Sequence, residues 1–359
     1  MISSENILLD SFFKLLRIGL DTDKDYDIHM MDSNEWNAVI NIANRFAVTG
    51  LIISGIENLP AEERPQKGIL LPLISQCLKI EETNKILNQN AVEIFGWYEK
   101  NGFRPIIMKG QGNGLFYENW NRRMPGDIDI WVTKRQKDIK DFILDRYPSA
   151  KDSKEHIQYR FDGYTTVEVH SIPSLTFNPF SNKLLHKLYK EWKNETMDVI
   201  LPESTGSIRV PSMEMDRVYM LQHKYRHFLV MGLGLKQFVD YMMLLRKGLT
   251  EEERRESVRI IKKLNMGKFC RAVMYVLKEK LGMEDRYLLM EPDCKAGEIL
   301  MREILTTGNF GFYDGRYKTD LGYGKRLIYR LKRRWMMVRY FGTEPLWDYY
   351  NRVFGKEEI

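Results

Sequence analysis

The heptapeptide Gly126–Val132, GDIDIWV, constrains this chain more than any other stretch. Its period of two makes it a strand, and on a strand residues two apart share a face. Asp127 and Asp129 therefore point one way while Ile128 and Ile130 point into a core. Two carboxylates held that close repel each other unless a cation lies between them. A pair of divalent ions is the usual answer, and Mg2+ suits such a site because it takes one or two carboxylates together with phosphate oxygens and water. Any fold for this chain must bury the isoleucines of the strand and leave its acidic face to something positive.

The surroundings read as a small α/β module. FRPIIMKG is a short apolar run ending in glycine, which suits a buried strand that leads into a tight turn. A short helix is expected from Gln111 to Glu118. Past GDIDIWV, Thr133 and Gln136 have capping-box spacing for the helix KRQKDIKDFILDR. HIQYRF and YTTVEVH then flank Asp162-Gly163, a strong hairpin signal. In the second arm Val167 and Val169 form the apolar face, so Glu168 projects from the opposite face with Thr166 and His170. Glu168 becomes a third carboxylate for the same centre. Ahead of it all, Lys109-Gly110-Gln111-Gly112-Asn113-Gly114 follows a strand and opens a helix. Free backbone N–H groups there favour anions, and the glycines let the backbone approach a triphosphate. The P-loop and dinucleotide spacings are absent.

The remainder has helical period. Asp32 with Glu35 forms a capping box ahead of Trp36, Val39, Ile40 and Ala43, and EETNKILNQNAVEIFGWYEKNG closes on Asn101-Gly102. Helical period returns from about Pro211 and lasts almost to the end. At 359 residues the chain exceeds one ordinary core. The expected class is α+β: an N-terminal helical region over 1–102, a core with a small mixed sheet over 103–205, and a C-terminal helical region over 206–359.

Composition narrows the partners. A net charge of +6 is mild for this length, so it favours anionic ligands without demanding nucleic acid. Cys77, Cys270 and Cys294 have no metal-ligand spacing and read as reduced thiols of a cytoplasmic protein. The first residues, MISSENILLDSFF, lack the basic start and unbroken apolar run of a signal peptide. The most apolar internal stretches, such as FLVMGLGL, fall far short of the ~20 residues that span a bilayer. A cytoplasmic protein without a transmembrane segment is expected.

The run MKG…Y…RRMPGDIDIWV, followed by VEVH and later by LQHKYRHFLVMGLGLKQFVDYMMLL, resembles the uncharacterised nucleotidyltransferase family of the polymerase-β-like superfamily. The resemblance extends over roughly residues 30 to 245. It implies a polymerase-β-like nucleotidyltransferase core in which Asp127, Asp129 and Glu168 hold two ions, Mg2+ or Mn2+, and carry the catalysis. It also implies that Glu168 orients or deprotonates the nucleophile. Lys109 and Gly110 would lie beside the triphosphate and Arg123 would steady the phosphates, while Lys236 and Asp240 would point at the nucleotide from a helical cap. The activity implied is transfer of NMP from an NTP to a hydroxyl acceptor with release of pyrophosphate. A small-molecule acceptor is the first expectation. Transfer to RNA or protein, as a toxin or regulator, and a non-catalytic nucleotide-binding module stand as alternatives.

Other residues keep two readings each. His170 is a hydrogen-bonding neighbour of the site or a direct participant. His223 and His227, four apart on a helix, have metal-binding spacing but no visible third ligand, and they read better as part of the cap. Trp131 packs in the core or stacks on a base. The segment GKRLIYRLKRRWMMVRY is a solvated basic helix, or a surface for RNA or an anionic membrane.

Overall fold

The computed structural model describes residues 4–153, 155–309 and 323–354. Four helices come first: α1 (Ser4–Gly19), α2 (Ser33–Arg45), α3 (Thr49–Glu57) and the long α4 (Lys67–Lys100). Asp32 and Glu35 cap α2 reciprocally, as their spacing requires. Gly102 ends the α4 segment at φ +76°, the left-handed conformation that glycine accepts at no steric cost. The strands follow with two helices between them: β1 (Pro105–Met108), α5 (Gly110–Gly114), β2 (Ile128–Val132), α6 (Gln136–Arg146), β3 (Lys151–Asp152), β4 (Ile157–Arg160) and β5 (Thr166–His170). Then come α7 (Pro179–Trp192), the hairpin β6 (Thr196–Ile200) and β7 (Ser207–Pro211), and the helices α8 (Met213–Val230), α9 (Leu235–Arg246), α10 (Glu251–Lys263), α11 (Gly267–Tyr275), α12 (Cys294–Thr307), α13 (Tyr323–Phe341) and α14 (Glu344–Phe354).

Five strands form one mixed sheet in the order β1-β2-β5-β4-β3. β2 runs parallel to β5, and every other pair in the sheet is antiparallel. The α+β class with a small mixed sheet is what the structure contains.

The two faces of the sheet do different work. Ile107, Ile128, Ile130, Val132, Val167, Val169, Ile157 and Tyr159 pack beneath the second half of α4 and α6, with Phe95, Tyr98 and Ile143. The opposite face carries Ile106, Met108 and Trp131 into a larger apolar body. That body joins side chains of α1 to α3 with side chains of α8 to α12. One face is thus a closed aliphatic layer, and the other meets helices across a boundary that also holds polar groups.

Local expectations fail at two places. Thr133 does not cap α6, because the helix begins at Gln136 behind Arg135 and no side chain caps it. The Gln136 amide instead donates to Asp152 Oδ1 and the Ser153 carbonyl, both at 2.9 Å, and ties α6 to β3. The helix expected from Gln111 to Glu118 is one turn that stops at Gly114. The basic segment near the C-terminus is α13, and it is not evenly solvated. Its later part buries Met337 and Phe341 against the helical body. Arg333 reaches Glu303 at 2.8 Å and the Phe228 carbonyl at 3.0 Å, so this arginine is structural.

One buried group on α8 sets a pH dependence. Burial pushes the Asp216 carboxyl up to about 8 against the pull of Lys224 and Arg217. Its Oδ1 has no hydrogen-bond partner among the described residues. An unfolded Asp titrates near 3.8, so across neutral pH the folded chain keeps a proton that the unfolded chain has lost. The stability linked to this group is complete below 3.8 and drains away as pH rises to about 8. Asp216→Asn should melt above wild type, and the gap should widen by up to about 1.4 kcal/mol per pH unit between roughly pH 6 and 8. Melting curves whose separation is constant or narrows over that range would show that Asp216 is ionised in the fold.

Candidate active site

The register between β2 and β5 builds the site. Ile128 and Ile130 must share a core with Val167 and Val169, and a one-residue slip would turn either set out of it. The register that satisfies both places Asp129 directly opposite Glu168. Asp127 stands two residues before Asp129, just ahead of the strand, and carboxylate oxygens of Asp127, Asp129 and Glu168 lie within 4.8 Å of one another. The acidic face looks away from the α4–α6 layer and towards α8 and α9.

The cation that such a cluster calls for is supplied by the chain. At the end of β1, Lys109 takes a left-handed backbone, φ +53°. Its Nζ lies 2.9 Å from Asp129 Oδ1 and 3.0 Å from His223 Nε2. His170 Nε2 approaches the same Asp129 oxygen at 3.2 Å. Burial would raise the Asp129 carboxyl, but the Lys109 ammonium and His170 hold it down at about 2. Glu168 behaves oppositely. Burial, then the charges of Asp129 and Asp127, push it up to about 7. Asp127, at the exposed rim, is raised chiefly by the Asp129 charge. Without a metal ion the centre therefore keeps Asp129 ionised and holds Glu168 well above an ordinary glutamate.

From α9, Lys236 Nζ donates to the Pro125 carbonyl at 3.1 Å. Burial, then Arg123, lowers this ammonium to about 8. A Cβ at Gly126 would sit 3.2 Å from the Lys236 Nζ, so glycine there leaves the lysine its place beside the carboxylates.

Arg123 and Asp240 meet each other. The guanidinium donates through Nε and one Nη to the two Asp240 oxygens, both at 2.8 Å, and the Tyr117 hydroxyl donates to Oδ1 at 2.6 Å. Asn84 holds the Arg123 carbonyl at 2.7 Å. All four side chains are buried. The fork-to-fork geometry makes this pair a strut between the segment that enters β2 and helix α9.

The glycine-rich turn is buried throughout, from Gly110 to Gly114. The close approach its glycines permit is made by the chain itself. Gly110 stands at φ +42°, and a Cβ there would lie 3.3 Å from the Asp127 carbonyl oxygen. A Cβ at Gly112 would lie 3.2 Å from Val210 Cγ1. The turn holds Lys109 and Asp127 together.

The α8 histidines extend the Lys109 contact. His223 and His227 stand Nε2 to Nε2 at 3.0 Å. Burial first, then Lys109, pushes His227 down to about 4 and His223 well below its ordinary value, so both rings are neutral. Among the described residues no third ligand joins them. Trp131 is core: it is buried, packs beside Tyr189, and donates Nε1–H to the Ser171 carbonyl at 3.2 Å.

The structure brings together one group that the sequence reading passes over. His156, at the foot of β4, lies 3.5 Å from Glu168 Oε1 through its Nε2. Its signal was the hairpin itself, since pairing Ile157 with Val169 and Gln158 with Glu168 carries His156 opposite His170.

The chain belongs to a family described as uncharacterised nucleotidyltransferases, whose model matches residues 32–282. No curated protein matches it. Among solved structures, an antigenic nucleotidyltransferase-like protein from Paracoccidioides brasiliensis shares 13% identity, with 60% of this chain and 95% of that chain covered and a TM-score of 0.32. Among the described residues no helix is long and apolar enough to cross a membrane.

Proposed function

We propose that this chain transfers NMP from an NTP to a hydroxyl of a small-molecule acceptor and releases pyrophosphate. The observation that carries the reading is the register pair of Asp129 and Glu168, with Asp127 brought into the same cluster. The donor set is made of oxygens alone, which fits Mg2+ or Mn2+. Two such ions held by Asp127, Asp129 and Glu168 would neutralise charge on the triphosphate and on the reacting oxygens.

The chain's own groups have distinct tasks in this reading. Lys109 and Lys236, the two ammonium groups beside the carboxylates among the described residues, face the triphosphate. Arg123 acts from behind: its bond to Asp240 fixes the segment that carries Asp127, so its effect on nucleotide binding is positional. The acceptor oxygen attacks the α-phosphorus, the bond from that phosphorus to the bridging oxygen breaks, and pyrophosphate leaves with the electron pair. Glu168 orients the hydroxyl and takes its proton. His170 keeps Asp129 aimed.

The test incubates the protein with each α-labelled NTP, Mg2+ or Mn2+, and a metabolite extract, purified RNA, or no acceptor. Label should move to a small molecule, in a metal-dependent manner. Label confined to RNA or to the protein itself would replace the small-molecule acceptor, and no transfer under any condition would leave a nucleotide-binding module.

A further inference from the structure

Glu168 faces two imidazoles as well as two aspartates. His156, just ahead of β4, and His170, the last residue of β5, extend the antiparallel register of Ile157 and Val169 by one step, with ring centroids 5.4 Å apart. His156 Nε2 lies 3.5 Å from Glu168 Oε1, and His170 Nε2 lies 4.0 Å from Oε2. One ligand atom from each of the three residues falls within 4.8 Å of the other two. Separations of 3.5 and 4.0 Å are too long for N–H···O hydrogen bonds. The 3.5 Å separation matches another geometry, because two ligand atoms each ~2.0–2.1 Å from a tetrahedral ion stand roughly 3.4 Å apart, and the 4.0 Å one, to the second carboxylate oxygen, needs a small closing movement. The three groups are therefore spaced like ligands that share an ion, for which His170 Nε2 exchanges the Asp129 Oδ1 that it meets at 3.2 Å in the metal-free chain.

Their chemistry differs from that of the neighbouring centre. Two imidazoles and one carboxylate are the donors that zinc and other late first-row ions prefer, whereas Asp127, Asp129 and Glu168 offer only hard oxygens. The side chains of His156, Glu168 and His170 keep 27%, 19% and 10% of their surface, so the cluster is accessible from solution.

We propose that His156, Glu168 and His170 form a second metal site, selective for a late first-row divalent ion such as Zn2+, with Glu168 shared between it and the all-carboxylate centre. The inference rests on these three side chains and does not require nucleotidyl transfer.

Co2+ is the probe, because its ligand-field spectrum reports both occupancy and coordination. The full chain, stripped of metal, is titrated with Co2+ in a large excess of Mg2+ and without nucleotide. One equivalent should bind, with the strong visible absorption of a four- or five-coordinate nitrogen-containing site, and Zn2+ should displace it. His156→Ala should weaken binding by about 10- to 100-fold or more, the range seen when a supporting group of a metal site is lost. His156→Gln, closer in size, guards against misfolding and should weaken it likewise. Asp127→Asn should bind Co2+ as wild type does, even where it has lost turnover. Equal affinity in wild type and both His156 variants would overturn the proposal. So would loss of Co2+ in Asp127→Asn, which would put the ion at the all-carboxylate centre, and so would absence of binding in the wild type. None of these outcomes depends on whether the chain transfers a nucleotide.

Discussion

Replacing Asp127 by Asn is expected to cut nucleotide turnover by more than a hundred-fold while leaving the metal-free protein at least as stable as wild type. The two halves of this expectation have different origins. An amide in place of a carboxylate keeps the shape and removes one negative charge from a centre proposed to hold divalent cations. Metal stabilisation of a phosphoryl-type transition state is worth several kcal/mol, and losing even ~3 kcal/mol means more than two decades in rate. Stability follows the local repulsion. The Asp127 carboxyl is raised first of all by the Asp129 charge, so the metal-free fold gains when Asp127 becomes neutral. Asp129 is the poorer target, although it stands on the same face. Lys109 and His170 hold its carboxylate ionised, and an amide there would leave a partly buried ammonium short of its partner. Turnover is read by release of pyrophosphate, and stability by thermal melting in chelator. Near wild-type turnover in a well-folded Asp127→Asn protein would remove this residue from the chemistry. A collapsed melting transition would make its role structural.

The arrangement of the site was legible where one physical requirement decides it. Alternation in GDIDIWV and in YTTVEVH fixes which residues face the core, and the shared aliphatic layer then fixes the register, so Asp127, Asp129 and Glu168 could be brought together from the sequence. The burial of Trp131 followed the bland expectation for an aromatic on a central strand. What could not be read was the pairing of charges across elements distant in the chain. Arg123 and Asp240 are separated by 117 residues, and either one alone looks available to a ligand. The glycine-rich turn is ambiguous for a related reason, since glycine permits close approach without saying whether a phosphate or Val210 makes it. Thr133 failed as a cap because Gln136 found partners on β3, a strand of two residues that carries no periodic signal. His156 was overlooked because a histidine at the end of a strand has no pattern of its own, and only the hairpin register gives it neighbours.

Lys109→Met should be the most destabilising of the conservative changes at this site, and divalent cations should undo the damage. The variant keeps the aliphatic stem and the left-handed backbone at φ +53°, so the ammonium is the one thing removed. Three carboxylates would then share a partly buried cluster, with Lys236 as the remaining ammonium beside them. Removing one partner of a buried ion pair typically costs about 3–5 kcal/mol, because the other charge is left without compensation. The loss should depend on pH in a definite direction. Glu168 already titrates near 7 in the fold against 4.5 for an ordinary Glu, so its linked stability is intact below 4.5 and drains as pH rises through 7. Without Lys109 the carboxyls are raised further, and the gap between variant and wild type should be wider at about pH 8 than at about pH 6. In the proposed mechanism Mg2+ or Mn2+ binds the folded cluster and restores charge balance there, so saturating metal should narrow the gap. Urea unfolding in chelator and in Mn2+, each at both pH values, reads all three effects. A variant as stable as wild type in chelator would show that the Lys109 ammonium does not balance the carboxylates. A loss that metal fails to reduce would show that the three carboxylates do not bind the ion as one unit.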